Sequence, residues 1–392
     1  MPPRGGAVIE HQVPPPRLTA SYHGLPGHPP DGYTAVSRMV LRGLSAGLPP
    51  AAAVTVSSSR GLCYRAAGGW ANLGYGSDLP VPAGADTLFD LASLTKVIVT
   101  TPLVLLLHQR KAWDLDDPIC KWLPGAPWSD VTIRHCLTHT AGLVWHRPYF
   151  AVQPDARALR AAVLAELRTA VPGPVCYSDL SFMLLGWAVE NRAAEPLDTL
   201  ALRELLAPLG MMRTRYRPHA DVSGIAATEV NGDQRQRDEA IWGAVHDGNA
   251  FALGGVSGHA GLFGTADDLG RFAAALLRPE AHPVLNVETI KLMTALQAST
   301  PGDVRALGWR LKPSGWGRWP QGTFWHTGFT GTSVLVSPGA DTAVVLLTNF
   351  VHPARRLDET EQFRAQLHRA VLRARSATAS TVDPAGPAGG AR

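Results

Sequence analysis

Ser93-Leu94-Thr95-Lys96, with the apolar run from Val97 to Leu107 behind it, is the stretch on which the reading of this chain turns. Ser93 and Lys96 are three residues apart. On a helix that spacing puts both side chains on one face, within reach of each other. A serine hydroxyl attacks poorly until a neighbouring base takes its proton. A lysine serves as that base when burial or a nearby positive charge lowers its pKa. The run after Lys96 places the lysine at the mouth of a buried helix, where a charge is costly unless partnered. A lysine that snorkels to the surface at the helix start is the plain alternative. In a chain with five lysines, one Ser-x-x-Lys match is weak evidence by itself.

Two downstream segments add to it. Tyr177-Ser178-Asp179 and His326-Thr327-Gly328, taken with the first, describe a serine acyl-transfer site whose base is lysine or tyrosine rather than histidine. Further matching text surrounds them: Phe89 to Lys96, then Leu137-Thr138-His139-Thr140-Ala141-Gly142-Leu143, and Gly258-His259-Ala260-Gly261-Leu262-Phe263. In this order the five segments resemble the serine β-lactamase and penicillin-binding superfamily. The resemblance is to the class C β-lactamase-like branch with its family VIII esterases, and it runs from about residue 33 to 375.

Composition sets the bounds. The chain has 392 residues, 45% hydrophobic and 17% charged, with 11 tryptophans, enough to bury a large core. The net charge of +4 is small and forms no basic stripe, so no nucleic-acid partner is expected. Cys63, Cys120, Cys136 and Cys176 are scattered without a C-x-x-C pair and read as thiols. Residues 1 to 30 carry Pro14-Pro15-Pro16 and no apolar core of signal-peptide length. The run from Val97 to Leu107 is too short to span a bilayer. A soluble, cytoplasmic protein with no membrane partner is expected; a mis-placed start codon would change that. The oligomeric state is not legible.

Along the chain, residues 1–32 form a Pro/Gly-rich segment expected to have no fold of its own. Ala35, Val36, Met39, Val40 and Leu44 predict a helix near 33–47. Strands are expected at 51–58 and 62–70, and the nucleophile helix at 93–109. Residues 110–299 read as mostly helical. Ser129-Asp130 is expected to cap a helix at 131–137, with further helices at 155–170, 179–191, 197–206 and 266–277, the last capped by Thr265 with Asp268. From 305 the period changes to two, giving strands at 306–311, 323–327, 333–337 and 342–349, then a helix at 359–375 and a disordered tail over 376–392. Early and late strands must share one sheet. The fold expected is therefore α+β: an antiparallel sheet flanked by helices (about 33–109 and 300–375) with an inserted, mostly helical lobe (about 110–299). The resemblance implies the same fold, with the site in the groove between the lobes.

The resemblance also assigns roles. Ser93 would be the nucleophile and its own N–H one oxyanion donor. Lys96 and Tyr177 would share the base role, and which of them is the base is not decided by sequence. Tyr177 otherwise reads as a packed tyrosine at a helix start. Asp179 stands where the family usually has asparagine. It would either raise the pKa of Lys96 or cap the following helix, or both. His326 replaces the lysine of the family's Lys-Thr-Gly and is mostly neutral at pH 7. With Thr327 and Gly328 it would line the substrate site, and the Phe329 N–H would be the second oxyanion donor. His135, Cys136, His139 and His146 suggest a metal cluster only weakly, because no Glu lies between His135 and His139. His246-Asp247 is a poor base pair for Ser93, since adjacent residues point apart. The chain reads as a serine hydrolase of a small ester or amide, needing no metal or cofactor, and esterase-like rather than an efficient β-lactamase. An acyltransferase of the same chemistry, a D-amino-acid peptidase and a catalytically silent binding protein stay open.

Overall fold

Strand Ala51–Ser58 carries the sheet because its side chains alternate between two apolar layers. Ala52, Val54 and Val56 join one cluster with Tyr33, Val36, Val40 and Leu367, whereas Ala51 and Ala53 join another with Leu103, Leu269 and Phe272. Both faces are covered, so all eight residues are buried. The computed structural model describes residues 17–23, 30–166, 168–218, 221–230 and 240–379.

Among these residues one large antiparallel sheet contains β1 (Leu18–Tyr22), β2 (Ala51–Ser58), β3 (Gly61–Asn72) and β4 (Val81–Pro82) from the early chain. A small second sheet is made of β5 (Phe89–Asp90), β6 (Arg215–Tyr216) and β7 (Leu262–Gly264). The late chain returns to the large sheet with β8 (Ala298–Thr300), β9 (Asp303–Arg305), β10 (Arg310–Leu311), β11 (Phe324–Thr327), β12 (Ser333–Ser337) and β13 (Thr342–Thr348). The order is β1-β3-β2-β13-β12-β11-β10-β9-β8, with β4 on β3. Early and late strands meet at β2–β13, where Val345 faces Thr55, so the expected α+β sheet is present.

Helices α1 (Pro30–Ser45) and α10 (Leu357–Ala379) cover the outer face. Between β5 and β8 run α2 (Thr101–Gln109), α3 (Ile133–Leu137), α4 (Ala156–Leu164), α5 (Asp179–Ala193), α6 (Leu197–Ala201), α7 (Gly248–Ala252), α8 (Ala266–Leu276) and α9 (Val287–Thr294). Helix α8 lies on β2 and β13, and the other seven build the helical lobe and the edges of the groove.

Several expectations need correction. Residues 18–22 are not structureless: they form β1, an edge strand in which Leu18 faces Gly68 and Tyr22 faces Tyr64. Residues 1–16 and 24–29, and the tail from 380, lie outside the described residues; α10 itself reaches Ala379. Ser129-Asp130 does not cap α3. The carbonyl of Val131 is held by the N–H of Ile119, so the helix starts later, with Thr132 accepting from His135 N and the His135 ring accepting from Thr132 N. Helix α4 stops at Leu164 because Glu166 turns to Arg147 and Tyr149 and the Thr169 N–H goes to the Gly142 carbonyl. Thr265 caps α8, but the Asp268 carboxylate is occupied by the N–H groups of Arg213 and Thr214.

The sheet also buries histidines in the neutral form. His352 donates to the Thr228 carbonyl at 2.7 Å and accepts the Leu73 N–H at 3.0 Å. His368 meets the Ser333 hydroxyl at 3.1 Å and stacks on Trp316. Burial pulls His352 down to about 4 and His368 to about 3, from 6.5. The unfolded chain therefore binds more protons than the folded chain below pH 6.5. Stability contributed by these groups is complete above that pH and falls on acidification, by about 1.4 kcal/mol per pH unit for each ring. A melting temperature dropping steeply between pH 6.5 and 4.5 is expected. His368→Phe keeps the stack on Trp316 and should flatten the drop; an unchanged slope would contradict this.

Candidate active site

The segment around Ser93 is not one regular helix. β5 ends at Asp90, Ala92–Leu94 forms a 3₁₀ turn, Lys96–Thr100 forms a π turn, and only then does α2 begin. Ala92 sits at φ +46°, a left-handed conformation that is uncommon with a Cβ and marks local strain. The irregular start presents Ser93 to the groove, while Lys96 is turned inward and is 0% exposed.

Lys96 Nζ donates to Ser93 Oγ at 2.9 Å, to Asp179 Oδ1 at 2.7 Å and to the His259 carbonyl at 3.2 Å. The Tyr177 ring lies beside them, its centroid 4.9 Å from Lys96 Nζ, and Tyr177 lines the same cavity as Ser93. The sequence-expected Ser93, Lys96, Tyr177 and Asp179 are thus brought together by the 3₁₀ and π turns on one side and the start of α5 on the other. The helix cap is a different residue: Ser178 Oγ accepts the Ser181 N–H, leaving the Asp179 carboxylate for Lys96. Ser178 N in turn donates to His139 Nδ1 at 3.1 Å, and the His139 ring lies 4.7 Å from the Tyr177 ring.

Charge follows from these contacts. Burial alone would strip the Lys96 ammonium, but Asp179 and Tyr177 outweigh it and the pKa ends above its ordinary value. Burial would raise the Asp179 carboxyl, yet Lys96 and His146 hold it well below the usual carboxylate range. Burial raises Tyr177 and Lys96 only partly opposes this, so the resting site is ammonium, carboxylate and phenol. The three groups titrate as a unit.

His326 is on β11, 2% exposed, facing the cavity rather than solvent. Its Nδ1 donates to the Thr327 carbonyl at 2.8 Å. Burial, then Lys96 and Arg305, hold it neutral, well below 6.5. Gly328 fits only as glycine: a Cβ there would lie 2.2 Å from Thr332 Oγ1 and 2.4 Å from the Leu91 carbonyl. That close approach seats the end of β11 against the turn that carries Ser93.

These residues line a cavity of about 610 Å³. Sequence reasoning missed several of its walls. Arg305 and Arg310, cross-strand partners on β9 and β10, share the Asp303 carboxylate, Arg305 at 2.7 Å and Arg310 at 3.5 Å. Like charges directly opposite are unfavourable, and one carboxylate offsets only one of them. Arg305 is 2% exposed, its guanidinium 5.5 Å from the Tyr177 ring, and its Nε and Nη1 have no protein acceptor. No motif surrounds these arginines in a chain rich in arginine, so nothing pointed to them. Trp145, Phe150 and Phe329 add apolar surface.

The weak metal cluster does not assemble as His135, Cys136, His139 and His146. Among the described residues His146 instead meets Asp179 and Asp247, with ligand atoms within 4.8 Å of one another. The Lys96 ammonium on Asp179 opposes a divalent cation there. His246 and Asp247 face different partners, Glu229 at 3.0 Å and His259 at 2.8 Å, and do not form a dyad.

A family model described as Beta-lactamase matches residues 41–369. A protein of Escherichia coli (strain K12), provisionally named a D-alanyl-D-alanine carboxypeptidase, is 31% identical over 380 residues, 86% of each chain. An N-acetylmuramyl-L-alanine amidase of Bacillus subtilis (strain 168) is 31% identical over 359 residues, 81% of this chain and 80% of the relative. The solved structure of EstCE1, described as a hydrolase with promiscuous acyltransferase activity, superposes with TM-score 0.70 at 22% identity. It covers 87% of this chain and 98% of its own and shares the fold.

Proposed function

The chain belongs to the Beta-lactamase family and is a serine hydrolase, and on that premise we propose that it cleaves a small ester or amide through an acyl-enzyme on Ser93. The observation that carries this is Ser93 Oγ at 2.9 Å from the buried Lys96 Nζ, with the Tyr177 ring 4.9 Å from that ammonium and lining one cavity with Ser93. Ser93 Oγ would attack the acyl carbon as its proton passes to the Tyr177–Lys96 pair. The oxyanion would rest on the N–H groups of Ser93 and Phe329. As the bond to the leaving group breaks, Tyr177 returns the proton to it. Water then attacks the ester on Ser93 by the same route. An alcohol or amine would serve equally as acceptor, which is the acyl-transfer alternative; EstCE1, a hydrolase with acyltransferase activity, combines both.

Neutral His326 supplies no fixed cation, which favours neutral esters over penicillins. A second reading, a D-amino-acid peptidase, is favoured by Arg305 and Arg310, which both line the cavity and suit a carboxylate. The experiment compares kcat/KM for nitrocefin and p-nitrophenyl butyrate. The ester is expected to be the better substrate, and His326→Lys should improve nitrocefin relative to it about 10-fold, the effect of about 1.4 kcal/mol from a charge-assisted hydrogen bond. Equal efficiency in the wild type would contradict the esterase reading. Selective loss of nitrocefin turnover in Arg310→Gln would then support the carboxylate reading.

A further inference from the structure

We propose, on the reading of Ser93 as nucleophile and Phe329 as second oxyanion donor, that Asp90 is the positioning residue of the oxyanion hole. It would set the separation of the two donors by holding backbone on both sides. Asp90 ends β5, three residues before Ser93, and is 2% exposed. One carboxylate oxygen accepts the Ala92 N–H at 2.8 Å and the other accepts the His246 N–H at 2.6 Å. The Asp90 carbonyl accepts the Thr330 hydroxyl at 2.7 Å.

Each bond lies one step from a donor. Ala92 precedes Ser93 and is the residue at φ +46°, so its N–H direction decides where the nucleophile turn starts. An aspartate accepting the N–H two residues on is a local bond that stabilises such a turn. Thr330 follows Phe329, and the His246 ring stacks on the Phe329 ring at 5.5 Å and 23°. Asp90 therefore touches the residue before one donor, the residue after the other, and the backbone of the residue whose ring packs on the second. Asp90 Oδ2 and His246 N also join β5 to the loop before α7, which forms another wall of the cavity. Burial outweighs the two N–H bonds and raises the Asp90 carboxyl above its ordinary value.

A structural tie would make the same contacts but would show only in stability. The position of oxyanion donors instead shows in kcat, because the oxyanion exists only in the transition state. In Asp90→Asn the remaining oxygen still accepts from Ala92, but an amide N–H faces the His246 N–H. The expected result for p-nitrophenyl butyrate is a kcat reduced 10- to 100-fold with KM changed less than about threefold. Labelling of Ser93 by a fluorophosphonate should slow by the same factor as kcat. Thr330→Val removes only the hydroxyl bond to Asp90 and should reduce kcat about three- to tenfold. The two changes act on one linkage, so the double variant should fall short of their product. Wild-type kcat in Asp90→Asn, with or without a lower melting temperature, overturns the proposal. If Asp90→Asn does not fold, wild-type kcat in Thr330→Val overturns it. Labelling of a serine other than Ser93 in the wild type would instead remove the reading of the nucleophile.

Discussion

Ser93→Ala is expected to reduce hydrolysis of p-nitrophenyl butyrate by at least about 10³-fold, the loss seen when a serine nucleophile that acts as one unit with its base is removed. The fold should survive. Ser93 contributes one of three acceptors to the Lys96 ammonium, and Asp179 and the His259 carbonyl remain. The melting temperature should move by no more than a few degrees. In the wild type a fluorophosphonate should attach at Ser93 and nowhere else in the cavity. Activity retained in Ser93→Ala, with the probe on another serine, would move the chemistry elsewhere.

Asp179 should control both stability and pH dependence. Its pair with Lys96 is buried, and breaking such a pair by removing one partner costs about 3–5 kcal/mol. Asp179→Ala should lose stability of that order at pH 7. Asp179→Asn, which keeps an acceptor, should lose less. The effect on rate has a defined sign. The resting phenol and ammonium must shed one proton before the pair accepts that of Ser93, so kcat/KM should rise with pH in the alkaline range. Asp179 raises the pKa of both Lys96 and Tyr177. Without its charge both fall, and the alkaline rise should shift to lower pH by about one unit or more. A rise in Asp179→Asn that stays where it is in the wild type would show that neither group is the base.

Much of this site was legible because it sits on short, contiguous segments. Ser93 and Lys96 are one turn apart, and Tyr177 and Asp179 stand at the start of a clear apolar helix, although its cap is Ser178 rather than Asp179. The sheet was legible because the late strands switch to a period of two between Gly/Pro turns, and the early strands need partners. What escaped depends on partners far apart in sequence. The 3₁₀ and π turns before α2 pack against Gly328, whose missing Cβ leaves room for the Leu91 carbonyl, and no local pattern announces that contact. β1 is an edge strand whose bonds go to β3, and its five residues carry no periodic signal of their own. Arg305 and Arg310 face the cavity only because β9 and β10 extend the sheet at its far edge. Asp90 read as part of a motif, while its partners at 246 and 330 lie more than 150 residues away.

The most direct test of the acyl-enzyme is the intact mass of the protein quenched in acid during turnover of p-nitrophenyl butyrate. One butyryl group per chain is expected, on the peptide that contains Ser93. It should be absent in Ser93→Ala. Turnover with no covalent adduct under any quench, or an adduct on a residue other than Ser93, would contradict the account.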